Sequence, residues 1–364
     1  MTNKKAAPTR LTRVRAEMAR HGLAQLIISD PMAIFYLTGV KLDPGERMYA
    51  MLLSADGTAR LFVNRLFGTP DAGPEVKEVI GFDDTDDAPA LMAPFLDRKK
   101  ALGIDKDWPA RFLLRLQELP VAREYRLGSI CVDMTRAVKD EAEQETMRRS
   151  SGINDECMAE IAKQIAPGKT ENELADALLA IYAAHGCSGV SFPPIVGFGD
   201  DAADPHHVNS DRVLQPGEPV LIDMGGVWHD YCSDMTRTFF TAEPTAEQRE
   251  VYELVRAANA AAIALIKPGV RVCELDAAAR KVITDAGYGE YFNHRLGHFI
   301  GLRDHEFGDV SAACAWEAKP GMCFSIEPGI YLPGNFGVRI EDLVLVTPTG
   351  CEVLNTYPKT LTVL

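Results

Sequence analysis

Nothing in this sequence pairs its cysteines. The eight, Cys131, Cys157, Cys187, Cys232, Cys273, Cys314, Cys323 and Cys351, are scattered with no Cys-x-x-Cys spacing. That pattern excludes a zinc ribbon and argues against a disulfide scaffold. Also missing is any apolar run of the roughly 18 residues that a membrane span needs, and no signal-peptide pattern opens the chain. Positive charge is in deficit, with 38 Lys and Arg against 52 Asp and Glu, for a net charge of −14. A nucleic-acid partner needs a basic face, so that class is set aside. The expectation is an enzyme of a reducing cytoplasm, with neither membrane nor nucleic acid as its partner.

What is present fits a globular protein. Hydrophobic residues are 46% and charged residues 25% of the 364, enough for two domains with their own cores. The chain divides near residue 137. Before it, the basic stretch KKAAPTRLTRVRAEMAR reads as a helix start with a solvated face, the helix running from Thr12 to His21. The apolar runs AQLIIS, AIFYLTG, MYAMLLS and ARLFVN follow, with a hairpin signal in SADGT. A helical pattern at APALMAPFLD, a strand at ALGID and a helix at ARFLLRLQEL complete an alternating α/β domain. After it, KDEAEQETMRRSSGINDECMAEIAKQI and ENELADALLAIYAAHG read as a helix pair, and TAEQREVYELVRAANAAAIALI with VCELDAAARKVITDAG as a second. APGKTENELADAL echoes KPGVRVCELDAAA, a faint internal repeat.

Five side chains in the C-terminal third stand out. An acidic residue taken alone is most often a solvated surface charge. Here Asp223 ends the apolar run VLID, Asp234 leads into MTRTFF, Glu327 follows CFSI, and Glu341 sits between VRI and DLVLV. Carboxylates in strand-like apolar runs are expected to be buried, and buried charges need a partner or a metal. His298 lies between two glycines in GHFIG, where backbone can approach closely. Four carboxylates and one imidazole match the ligand set of two divalent ions, whose shared water is acidic enough to act as hydroxide. The spacing predicts two hairpins, one carrying Asp223 and Asp234, the other Glu327 and Glu341. Six of the eight histidines fall between residues 206 and 305, and imidazole is the usual acid–base group near neutral pH.

On these motifs, residues 138–364 resemble the catalytic domain of the pita-bread metallopeptidases. That family includes prolidase, aminopeptidase P and methionine aminopeptidase, with creatinase as a metal-free relative. All five ligand positions match in order and spacing. DPMAIFYLTG and ALGID are similar to the creatinase-type N-domain, which favours the prolidase and aminopeptidase P branch. The resemblance implies an α/β creatinase-like domain over residues 1–137, then an α+β pita-bread domain over 138–364 with pseudo-two-fold symmetry.

The resemblance also implies roles. Asp223 would hold one metal, His298 and Glu327 the other, and Asp234 and Glu341 would bridge them. Manganese is favoured, with cobalt, zinc and iron also suited. A hydroxide between the metals would attack the peptide bond before proline, with Glu327 as general base. His305 would stabilise the oxyanion. His206 would support the scissile amide, with His207 as the second choice. For His207, His229 and His294 the structural reading is preferred. Arg339 would either orient Glu341 or bind a substrate carboxylate. Enzymes of this kind are homodimers acting on short proline-containing peptides.

The sequence departs from the family at two places. Phe299 stands where the family has glycine, which predicts a narrower pocket beside the metals. FGDVS, with Asp309, follows the His305-Glu306 pair where the family has proline and a basic residue that reads a dipeptide's carboxylate; Arg303 is the replacement offered here. The favoured activity is a metal-dependent Xaa-Pro dipeptidase. The second reading is an aminopeptidase P, or a hydrolase of a small non-peptide amide. The third, an inactive binding module on the same fold, is disfavoured by the presence of all five ligands.

Overall fold

The structure, a computed structural model, describes residues 8–364. The opening of the basic N-terminal stretch, Lys4 to Ala7, lies outside the described residues. The chain forms two compact units, Met1–Arg136 and Ala137–Leu364.

In the first unit a six-stranded sheet runs in the order Glu78–Phe82, Ala59–Asn64, Ala50–Ser54, Gln25–Ile28, Ala101–Ile104, Glu124–Leu127. The three central strands are antiparallel to one another, and the flanking strands join in parallel. Both faces are covered, which is why QLII, AMLLS and ARLFVN read as nearly continuous apolar runs rather than alternating ones. Period two still sorts them. Leu26, Ile28, Met51, Leu53, Leu61 and Val63 enter one core, while Ile27, Ala50, Leu52 and Phe62 enter the other. The first helix, Arg10–Arg20, buries Leu11, Val14 and Met18 at helical spacing and is capped by Thr9, which accepts from Thr12 N. AIFYLTG is helical. Asp30 caps Pro31–Thr38 by accepting from Met32 N and Ala33 N, proline sits in its first turn, and Gly39 at φ 77° ends it.

The second unit repeats one plan twice. Helices Glu141–Ile161 and Glu171–Ala184 are followed by a sheet of Ile195–Phe198, Pro219–Met224 and Met235–Phe240. Helices Ala246–Leu265 and Val272–Asp285 are followed by a five-stranded sheet that includes Gly297–Phe299, Cys323–Ile326 and Asp342–Val346. Three of the four helices open with a capping box, on Asp140 and Glu143, Thr170 and Glu173, and Thr245 and Gln248. Each satisfies two backbone donors that would otherwise be orphaned. Among the described residues no helix is long and apolar enough to cross a membrane.

The two acidic hairpins form, with one elaboration. Strand Pro219–Met224 pairs antiparallel with Met235–Phe240, placing Asp223 opposite Thr236. Their connection is itself a small hairpin, Gly226–Trp228 with Tyr231–Cys232, turned by His229 and Asp230 at positive φ. Strands Gly329–Leu332 and Phe336–Arg339 make the other hairpin, with Glu327 just before it and Glu341 just after. Behind them Arg237 and Asp342 form a fully buried ion pair at 2.8 Å, which ties one sheet to the other.

Candidate metal centre

Asp223, Asp234, His298, Glu327 and Glu341 converge on one cavity of about 660 Å³, which His206, His207, His294, Arg295, Asp304, His305 and Arg339 also line. Asp234, His298 and Glu341 are 4%, 2% and 1% exposed, and their donor atoms all lie within 4.8 Å of one another. Close backbone packing makes this convergence possible. A Cβ on Gly225 would stand 2.0 Å from Ser233 O, and one on Gly297 would stand 2.1 Å from Ser325 O. Only glycine lets the strand ends carrying Asp234 and His298 approach their neighbours so closely.

Hydrogen bonds fix four of the five donors. His298 Nδ1 donates to Phe299 O at 3.3 Å, which leaves Nε2 as a lone pair. That nitrogen lies 3.5 Å from Asp234 Oδ2 and 3.6 Å from Glu327 Oε1. Such spacings are long for hydrogen bonds but suit donors that share an ion at about 2.0–2.2 Å each. Thr236 Oγ1 donates to Glu341 Oε2 at 2.8 Å, and Ser325 Oγ donates to Glu327 Oε1 at 3.2 Å. Arg339 donates from Nη2 to Asp223 Oδ2 at 2.7 Å. Each of these contacts orients a carboxylate from behind the cavity.

The remaining oxygens test the fit of a metal. Asp223 Oδ1, Asp234 Oδ1 and Glu341 Oε1 are buried without a hydrogen-bond donor among the described residues. A buried carboxylate oxygen left this way is costly, and a divalent cation is the natural partner for three of them together. The electrostatics agree. Burial, then Asp223, raises the pKa of Asp234 far above the usual carboxylate range. Burial, then Asp234 and Glu327, does the same to Glu341, and burial raises Glu327 to about 7. A second trio, Glu171, Asp201 and His207, is also close enough to hold an ion, but its donors are already used. Glu171 accepts from Phe198 N, Ser210 N and Ser210 Oγ and bonds His207 Nε2 at 2.8 Å, while Asp201 pairs with Arg212 at 2.9 Å.

His305 is exposed as a residue, but its ring lies over that of His298 with centroids 3.9 Å apart. Burial of the ring, then the neighbouring His298, lowers its pKa to about 4. His206 faces the same cavity, while His207 is anchored by Glu171. Arg303 is exposed and is not among the cavity-lining residues. The expected narrowing by Phe299 does not occur. Strand alternation sends His298 into the cavity and Phe299 the other way, where it is fully buried against Trp316 and Phe324 at ring centroids of 5.5 and 5.4 Å. Asp309 accepts from Ser311 Oγ at 2.9 Å and lies outside the lining.

Sequence reasoning missed Thr236, Tyr331 and Arg295, and gave His294 only a structural part. The structure links three of these in a directed chain. Arg339 Nη1 donates to Tyr331 Oη at 2.9 Å, Tyr331 Oη meets His294 Nε2 at 2.9 Å, and His294 Nδ1 meets Arg295 O at 2.7 Å. Since arginine only donates and a carbonyl only accepts, the tyrosine donates to His294 Nε2 and His294 donates from Nδ1. His294 is thus neutral, and burial, then Arg339, lowers its pKa to about 3. The signal available in the sequence was spacing, with His294 four residues before His298.

Comparison with known proteins extends this geometry. The model of metallopeptidase family M24 matches residues 145–348, and that of the creatinase/prolidase N-terminal domain matches residues 10–138. An uncharacterized peptidase of Staphylococcus aureus is 35% identical over 363 residues, covering 96% of this chain and all of that protein. The crystal structure of dipeptidase PepE from Mycobacterium ulcerans is similar at a TM-score of 0.90 and 36% identity, over 97% of this chain and 96% of that one. Prolidase from Pyrococcus furiosus is similar at a TM-score of 0.83 and 32% identity, over 94% and 99%. The two helix-pair-and-sheet repeats are the pita-bread fold, preceded by a creatinase-like domain.

Proposed function

The chain belongs to metallopeptidase family M24, and from that membership we propose that it is a metal-dependent dipeptidase cleaving the peptide bond before proline. The observation that carries the metal chemistry is the trio of buried, donor-less oxygens on Asp223, Asp234 and Glu341. The choice of substrate is supported by likeness to a dipeptidase and a prolidase over nearly the whole chain.

Asp223, Asp234, His298, Glu327 and Glu341 would hold two divalent ions, which when bound supply Lewis acidity and an acidified water. The chain's own groups do the rest. Glu327, steadied by Ser325, accepts the nucleophile's proton. His305 donates to the developing oxyanion, and His206 engages the scissile amide. A bond before proline lacks an N–H and holds the preceding residue extended. Phe192, Pro193, Ile195 and Pro205 on the cavity wall offer the pyrrolidine ring an apolar face. Manganese suits a donor set dominated by carboxylates better than softer sites do, with cobalt, zinc or iron as alternatives. A two-fold homodimer and a cytoplasmic setting belong to the same proposal. The eight free thiols are compatible with a reducing compartment.

The deciding experiment is a panel of Ala-Pro, Ala-Pro-Ala, Ala-Ala and a small non-peptide amide with the manganese-loaded protein. The proposal expects kcat/KM to be highest for Ala-Pro. Preference for Ala-Pro-Ala would move the assignment to an aminopeptidase P, and preference for Ala-Ala would overturn proline selectivity.

A further inference from the structure

His206 reaches the cavity without a side-chain tether. It is exposed as a residue and lines the cavity. Its one hydrogen bond among the described residues runs from its backbone N to Asp204 Oδ1 at 2.9 Å. The direction of the ring is therefore set by the backbone that carries it.

That backbone belongs to the long connection between strands Ile195–Phe198 and Pro219–Met224, and it is pinned on both sides of His206. Upstream, the short turn Gly199–Ala203 lies tight against strand Phe336–Arg339, where a Cβ on Gly337 would stand 1.9 Å from Ala202 O. Downstream, Asn209 donates to Pro194 O at 2.7 Å and accepts from Val196 N at 2.8 Å. The connection then docks on the first turn of helix Glu171–Ala184. Glu171 N donates to Arg212 O at 3.3 Å and Asn172 N to Ser210 O at 3.2 Å, which satisfies two of the donors that a helix start leaves open.

Glu171 is the centre of this dock. Its side chain is fully buried and collects four donors. Phe198 N reaches Oε1 at 3.1 Å, while Ser210 N, Ser210 Oγ and His207 Nε2 reach Oε2 at 2.9, 2.9 and 2.8 Å. Each oxygen holds an obligate backbone donor, so the carboxylate only accepts and His207 donates from Nε2. These donors come from residues on both sides of His206 in the chain. One buried side chain thus closes the loop around the histidine, and its own oxygens are matched, as a buried carboxylate requires. Glu171 is not among the cavity-lining residues. It acts on the cavity only through what it holds.

Resting on the reading in which His206 engages the scissile amide, we propose that Glu171 and His207 form a clamp that positions His206. His207 is the arm of the clamp. With its ring tied to Glu171, the backbone of the preceding residue is fixed and His206 is held toward the cavity. Misplacing a catalytic group by about 1 Å costs on the order of a hundredfold in rate, so the pair contributes to turnover through the histidine between its anchors.

The test is a double-mutant cycle on the manganese-loaded full chain with Ala-Pro. It compares wild type, His206→Ala, His207→Leu, His207→Gln and the double variant His206→Ala/His207→Leu. The cycle is built on His207 because Glu171→Gln would disturb a buried carboxylate with four donors, whereas changing His207 leaves three of them in place. His206→Ala and His207→Leu should each lose roughly 10- to 100-fold in kcat/KM, mostly in kcat, and the double variant should fall within about threefold of His206→Ala. His207→Gln, whose amide nitrogen can stand where Nε2 stands, should recover most of the loss. Hydrogen–deuterium exchange over residues 204–210 should rise in His207→Leu and return toward wild type in His207→Gln. Losses that multiply in the double variant, or a His207→Gln protein as impaired as His207→Leu, would overturn the clamp. Two other failures read differently and take the clamp with them: His206→Ala as active as wild type removes the role of His206, and a wild type inert toward Ala-Pro sinks the dipeptidase reading.

Discussion

Arg339 reaches Asp223 Oδ2 with Nη2 at 2.7 Å while its Nη1 holds Tyr331 and its Nε holds Thr236. One buried guanidinium thus spans both acidic hairpins, because Thr236 in turn donates to Glu341. Lysine has a single nitrogen and cannot satisfy three partners spread over a planar fork. Arg339→Lys should lower stability by about 3–5 kcal/mol, the cost of breaking a buried pair, and reduce activity on Ala-Pro at least tenfold. Urea denaturation and steady-state kinetics check both, and a change under about 1 kcal/mol would mean the fork is not holding the hairpins.

Phe299→Ala separates packing from catalysis. The ring is fully buried against Trp316 and Phe324 and points away from the cavity. The substitution should cost about 3–5 kcal/mol in denaturant and leave KM for Ala-Pro within about threefold of wild type at a temperature where the variant is folded. A large gain in the range of substrates accepted would show that the ring does border the pocket.

Metal should control stability as well as activity. Without cations, Asp234 and Glu341 stay buried beside Asp223 only by taking up protons, which costs stability near neutral pH. Asp234→Asn removes one group that must take up a proton on folding, with little change of shape. In the chelated protein it should be stabilising, by about 1–4 kcal/mol, by analogy with neutralised buried charges. In the presence of manganese the order should reverse, since the variant has lost a ligand. Thermal melts of both proteins with and without chelator read this crossing. A variant less stable than wild type in both conditions would argue against a charge-strained site.

His294 sets an acid limit on stability. Its pKa is lowered from 6.5 to about 3 in the folded protein. Between those values the unfolded chain takes up the proton and the folded one does not, so stability falls as pH drops through this window and is unaffected above it. The slope from this residue approaches about 1.4 kcal/mol per pH unit. His294→Gln should be less stable at neutral pH, having lost its bonds to Tyr331 and Arg295, but less sensitive to acid. Equal slopes for the two proteins across this window would contradict the assignment.

The convergence of the five candidate ligands on one cavity was legible because each breaks a local rule. Asp223, Asp234, Glu327 and Glu341 are charges inside or beside apolar strands, and such a conflict between pattern and charge marks a site. The helices were legible for the opposite reason, since caps, apolar spacing and terminal glycines all agree. Phe299 was misread because its distance along the chain from His298 is short, while strand alternation puts the two on opposite faces. AIFYLTG gives little periodic signal because its helix is short and packed on most sides. Arg295 and Tyr331 could not be found by pattern. Each is ordinary in its own segment; Tyr331 acquires a role through His294, 37 residues away, and Arg295 through the fold of the loop that brings His305 to it.

Metal titration against activity tests the central claim most directly. The protein is stripped with chelator, manganese is added back in known equivalents, and hydrolysis of Ala-Pro is followed alongside near-ultraviolet dichroism for wild type and Asp234→Ala. The account predicts no turnover in the stripped enzyme and recovery that saturates at about two ions per chain. It also predicts an Asp234→Ala protein that keeps its fold and stays inactive at every metal concentration. Full activity in the stripped protein, or in Asp234→Ala, would contradict it.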